Sequence, residues 1–223
     1  MKNRGQHGRW VKLGTWAIVG RAKHWERIDH DGTPSDGIIF APALGVLQSG
    51  DPLVLATLPV VDWNAELVKA LTELKRPVGP NCYAAVMMID PFTLWEDLGD
   101  LLAERGFAGV VNFPPASLLE VKQVQTSTDE GNTIEIDRMK WFHDVGFGLV
   151  YAAPRMEEIR NVEQRLSGLL NAIFNVPVSS LRQPVSNKLE LDLEPALNVD
   201  RQGLPPILSF NSAVCATPES VAS

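Results

Sequence analysis

The stretch 84–114 decides the fold. It reads Ala84-Ala85-Val86-Met87-Met88-Ile89-Asp90-Pro91, then a polar and apolar segment from Phe92 to Arg105, then Gly106-Phe107-Ala108-Gly109-Val110-Val111-Asn112-Phe113-Pro114. The outer two pieces are continuously apolar, as strands covered on both faces must be. The middle piece has helical spacing, with Leu94, Leu98, Leu101 and Leu102 on one face. Thr93 with Glu96 three residues on makes a capping-box pattern, and Gly106 suits the position just past a helix end. Strand, helix, strand at this length is a parallel pair joined by a right-handed crossover.

Working outward, the same alternation recurs. Trp16 to Gly20, Asp36 to Pro42 and Gly146 to Pro154 are further apolar runs. Trp63 to Lys75 predicts a helix with Leu67, Val68, Leu71 and Leu74 on one face. Thr133 to Asp144 predicts another, with Ile136, Met139 and Phe142 inward, and Arg155 to Phe174 the longest. Leu53 to Val61 reads as a strand or an apolar loop, with Pro59 against the strand. The expected fold is α/β, a partial (β/α) TIM-barrel-like parallel sheet of about five βα units. Residues 1–15 form a basic arm and 16–175 the barrel-like domain. Residues 176–223 hold six of the 16 prolines and one aromatic, Phe210, and read as an irregular or disordered tail.

Composition narrows the class. The chain has 223 residues, 45% hydrophobic and 21% charged, with a net charge of −7. These are globular values, and there is no apolar run long enough to span a bilayer. Residues 1–30 carry +5 and the remainder −12, without the spaced basic stripe of a nucleic-acid reader. Cys82 and Cys215 lie far apart and show no zinc spacing or disulfide framework. No apolar segment follows the N-terminal basic residues, so no secretory signal is read. The expectation is a cytoplasmic protein with a small-molecule substrate, no nucleic-acid or membrane partner, and self-association left open. No Gly-rich phosphate loop is present.

Ligands of parallel βα folds bind at the carboxyl ends of the strands. The polar residues there are Asp90, Asn112, the Ser127-Asp129-Glu130 loop and Tyr151. Asp90 could hold a divalent metal or take a proton, or simply cap the following helix. Asn112 could bond a substrate oxygen or close a loop. Glu130 sits in a polar stretch that could equally be solvated. His143 falls within a helix and pairs with no other histidine.

Ile89-Asp90-Pro91-Phe92 followed by Gly106-Phe107-Ala108-Gly109-Val110-Val111-Asn112-Phe113-Pro114 resembles the phosphoenolpyruvate hydrolase-like family of TIM barrels, also described as indole-glycerol-phosphate-synthase-like. Asp129-Glu130-Gly131 resembles that family's Glu-Glu-Thr-Gly loop, and Leu58-Pro59 with Asp62 and Asn64 its Leu-Pro…Gly-Asp-Ala-Asn segment. The likeness covers roughly residues 16–154. It implies hydrolysis or lysis of a small 2-oxo acid or phospho-acid, with a divalent metal such as Mg2+ stabilising an enolate. Asp90 would orient the metal or substrate, and Glu130 would be the acid/base. Asn112, Asp62 and Asn64 would bind substrate. The chain departs from the family at Arg21-Ala22-Lys23-His24, where a glycine-rich turn belongs, and at Phe40 to Leu44, where a polar cluster belongs. No strand is read after Pro154. The alternative is a diverged, non-catalytic barrel fragment acting as a binding or scaffold module.

Overall fold

A computed structural model describes residues 16–21, 37–48, 50–57, 61–119, 128–182, 190–195 and 203–210. The basic arm lies outside them, as do Ser127 and Cys215. Eight strands form a closed barrel: β1 (Trp16–Val19), β2 (Gly37–Phe40), β3 (Cys82–Val86), β4 (Gly109–Asn112), β5 (Gly148–Ala153), β6 (Leu170–Asn175), β7 (Glu190–Pro195) and β8 (Ile207–Phe210). The order around the barrel is β1-β2-β3-β4-β5-β6-β8-β7. The strands from β1 to β6, with β8, run parallel; β7 is antiparallel to both of its neighbours and fills the gap between β8 and β1. The helices are α1 (Trp63–Glu73), α2 (Trp95–Glu104), α3 (Ala116–Leu119), α4 (Thr128–Asp144) and α5 (Met156–Arg165). Three 3-10 turns complete the described elements: η1 (Pro42–Val46) follows β2, η2 (Leu53–Thr57) comes between η1 and α1, and η3 (Ser180–Arg182) follows β6. Among the described residues no helix is long and apolar enough to cross a membrane.

Alternation along each strand sorts side chains into two cores. Trp16, Ile18, Ile39, Tyr83, Ala85, Val111, Val150, Ala172 and Leu193 belong to the inner one. Val19, Phe40, Ala84, Val110, Leu149 and Ile173 face outward, where Leu67, Leu71, Leu98, Leu102, Ile136 and Met139 of the helices cover them. The two largest inward rings sit opposite glycines. Trp16 pairs with Gly37, and a Cβ there would lie 2.6 Å from the indole; Tyr83 pairs with Gly109, where a Cβ would lie 2.5 Å from the phenol ring. The bulk of one strand is thus accommodated by the missing side chain of the next. The rings themselves lie 5.2 Å apart.

Five strands overlap the five apolar runs, although β3 begins two residues before its run, at Cys82, and ends at Val86, leaving Met87 to Ile89 past the strand. The structure corrects the rest. Residues 155–174 are not one helix: α5 ends at Arg165, Gly168 takes the left-handed region at φ 76°, and the apolar run after it is β6. The stretch read as an irregular tail contributes β7 and β8, so the barrel closes. Among the described residues, the prolines at these strands bound them instead of breaking them. Pro195 is the last residue of β7, and Pro205-Pro206 precede β8, with the Pro206 carbonyl accepting from Ile173 N–H at 2.8 Å. Leu53–Thr57 is a 3-10 turn, neither strand nor open loop. The α2 N-cap is Leu94, with no side-chain cap; Thr93 is occupied elsewhere.

Candidate functional site

Among the described residues, the central mouth of the barrel, at the carboxyl ends of the parallel strands, is filled by apolar side chains. Phe113 after β4 and Phe174 in β6 meet at 5.8 Å, and Trp63 packs edge-on against Phe113 at 5.3 Å. Leu44 of η1, Leu53 of η2 and Leu181 of η3 are buried in the same cluster as these rings, with Val61 and Val176. The polar candidates are pushed outward from this plug, into two separate places.

The first is a cleft between α1 and α2 of about 460 Å³. Asp62, Asn64 and Asp90, three of the residues singled out in the sequence, all line it, with Thr93. Asp62 is the α1 N-cap: its Oδ1 accepts from Ala65 N–H at 2.9 Å, filling one of the orphan donors of the first turn. Asn64 is buried. Its Oδ1 accepts from Met87 N–H at 3.0 Å while its Nδ2 donates to the Met87 carbonyl at 3.0 Å. The side-chain amide therefore acts as one more peptide unit beside the end of β3. Its Nδ2 also lies 2.7 Å from Thr93 Oγ1 and 3.2 Å from Asp90 Oδ2. Asp90 accepts from Phe92 N–H at 2.9 Å with Oδ1 and from Thr93 Oγ1–H at 2.5 Å with Oδ2. It thus organises the turn into α2, the local role weighed for an Asp before a proline.

The second place lies between the sheet and its outer helices. Asn112, expected to meet substrate, is fully buried and faces away from the barrel interior. Its Oδ1 accepts from Ala152 N–H at 2.6 Å and its Nδ2 donates to the Ala152 carbonyl at 3.0 Å. This is the device of Asn64 repeated: an amide continues the ladder where β4 has stopped pairing with β5. Asn112 is therefore a strand-bridging residue, remote from solvent, and is not brought together with Asp90. Beside it lies Glu135 of α4, which sequence reasoning missed. Glu135 is 1% exposed; it accepts from Ala116 N–H at 3.0 Å and from the Tyr151 hydroxyl at 2.8 Å, and also bonds Asn112. Burial pushes its carboxyl up to about 7 despite these donors, with Glu158 nearby adding to the rise. Tyr151 is raised well above the usual phenol range by burial and by Glu135 itself. Ser117 of α3 donates to Glu158 at 2.9 Å, a second tie between α3 and the helices around it.

Glu130 falls in the first turn of α4, not in a loop, and its side chain is outside the described set. Both Asp90 carboxylate oxygens accept hydrogen bonds, and among the described residues no three His, Cys, Asp or Glu side chains lie together in a metal-holding group. Cys82 is a free, buried thiol of the outward face of β3, raised by burial. Comparison of the chain with protein-family models and with curated proteins finds no match.

Proposed function

We propose that the chain is a diverged relative of the phosphoenolpyruvate hydrolase-like barrels that works as a binding module, with the α1–α2 cleft as its ligand site. The observation that carries this reading is the apolar plug in the mouth of the barrel. Stabilising an enolate or a transferring phosphoryl group takes hydrogen-bond donors, cations or a metal aimed at the developing charge. Among the described residues, Leu44, Leu53, Trp63, Phe113, Phe174 and Leu181 fill the place where such a barrel does its chemistry and offer none of these. The cleft does not replace them for an anionic oxo-acid, because Asp62, Asp90 and Asp97 line it and would repel one. Its volume is within the usual range for ligand pockets, roughly 300–1,000 Å³. A cytosolic setting fits the two distant cysteines, of which Cys82 is free.

One observation favours the enzymatic reading: Asp62, Asn64 and Asp90 share a single cavity. The deciding experiment is turnover of phosphoenolpyruvate, phosphonopyruvate and simple 2-oxo acids, with and without Mg2+, by wild type and Asp90→Ala. No turnover above buffer by either protein is the expected result. Metal-dependent turnover by wild type that Asp90→Ala abolishes would establish the enzyme instead.

A further inference from the structure

The α1–α2 cleft carries two features that act together. Its apolar wall runs past its edge into solvent: Phe92 is 90% exposed, Leu94 70% and Val68 38%, all lining the same cleft. Its rim is acidic. Asp62, Asp90 and Asp97 face the one lysine, Lys69, which is paired with Glu66 at 3.4 Å. The two helix N-termini beside it supply about half a positive charge each, too little to cancel three carboxylates.

We propose that this cleft is the docking surface for a basic amphipathic segment of a partner protein, an inference that rests on the binding-module reading. Lys or Arg side chains of the segment meet Asp62, Asp90 and Asp97, while its apolar side chains cover Phe92, Leu94 and Val68. A small ligand held inside the cleft would cover only the sides of Phe92 and Leu94 that face it; a segment lying across it also covers the parts that reach past its edge. A second copy of this chain using the same face would set carboxylates against carboxylates, since a two-fold contact is self-complementary. Nucleic acid and anionic lipid are disfavoured by the same charge.

The test uses the full chain and a fluorescein-labelled peptide of Lys and Leu at helical spacing, followed by anisotropy, with the Lys→Glu peptide alongside. The Lys peptide is expected to bind with an affinity that falls as salt rises, and the Glu peptide not to bind. Phe92→Ser with Leu94→Ser, and separately Asp97→Lys, are each expected to weaken binding about tenfold or more. Asp144→Lys, on an exposed carboxylate of α4, is expected to leave it unchanged and reports attraction to net charge alone. Unchanged thermal melts show that the variants fold. No binding, equal binding of the two peptides, or equal weakening by Asp144→Lys and Asp97→Lys would each overturn the proposal. Turnover in the substrate assay would instead overturn the reading beneath it, whatever the peptides do.

Discussion

Glu135 is a carboxyl group buried among donors, and the charges that act on it include no cation. Its carboxyl, pushed by burial from the ordinary 4.5 up to about 7, has a definite sign for stability. Between those values the folded chain binds more proton than the unfolded one, so stability falls as pH rises through the window. The contribution is complete at the lower end and lost above about 7, and it is on the order of 3 kcal/mol. Glu135→Gln keeps the bonds to α3 and β5: its amide oxygen accepts from Ala116 N–H, its amide donates to Tyr151, and the Tyr151 hydroxyl turns to Asn132 Oδ1, 3.0 Å away. The variant is expected to flatten the pH dependence and to exceed wild type in stability at pH 8, measured as urea midpoints at pH 5 and pH 8. Equal slopes for the two proteins would show that the effect originates elsewhere. Of the candidate residues, Asp90 was legible from its place past an apolar run, and Asp62 and Asn64 only through the family resemblance. Glu135 was not, although it sits beside Ile136 and one turn before Met139 on the inward stripe. Asn112 was found but turned the wrong way. When both faces of a strand are apolar, Val110 and Val111 look alike, and nothing local says which one points into the barrel.

At the scale of elements, two asparagine amides stand in for missing peptide partners, and two glycines stand in for missing space. Asn112→Ala leaves the Ala152 N–H and carbonyl without those bonds in a dry layer and is expected to cost about 2–4 kcal/mol by chemical denaturation. The loss is expected without any change in peptide binding, because Asn112 is not part of the cleft. For the glycines the expected order is Gly109→Ala far worse than Gly146→Ala. A Cβ at Gly109 would lie 2.2 Å from the Gly148 carbonyl oxygen, so backbone must move, at about 2–3 kcal/mol or more. Gly146 has open space around it and only its left-handed φ of 105° to satisfy, about 1 kcal/mol. Urea titration of both variants checks the order; equal losses would mean that backbone conformation, not crowding, sets the cost. Five strands and most helices were legible from continuous apolar runs and 3.6-residue spacing. The α5–β6 boundary was not, because Ile159, Val162 and Leu166 continue into Leu169 and Leu170 with only Gly168 to mark the change of period.

At the scale of the molecule, closure depends on the last described strands. β7 completes the ring by pairing with both β1 and β8. It was illegible because proline density outweighed the short alternation Glu190-Leu191-Asp192-Leu193. The amides of β8 are expected to exchange as slowly as those of β3; exchange within the dead time would show that the ring opens at this seam. A chain ending at Arg182 would present the free edges of β1 and β6, and is expected to associate or precipitate when compared with the full chain by light scattering. The seam also sets an order of events in time. β1 leaves the ribosome well before β7, so Trp16 has no Leu193 to pair with until the whole segment between them has been synthesised. Throughout translation one edge of the sheet is therefore open, and the nascent chain depends on delay, shielding or a chaperone until β7 arrives.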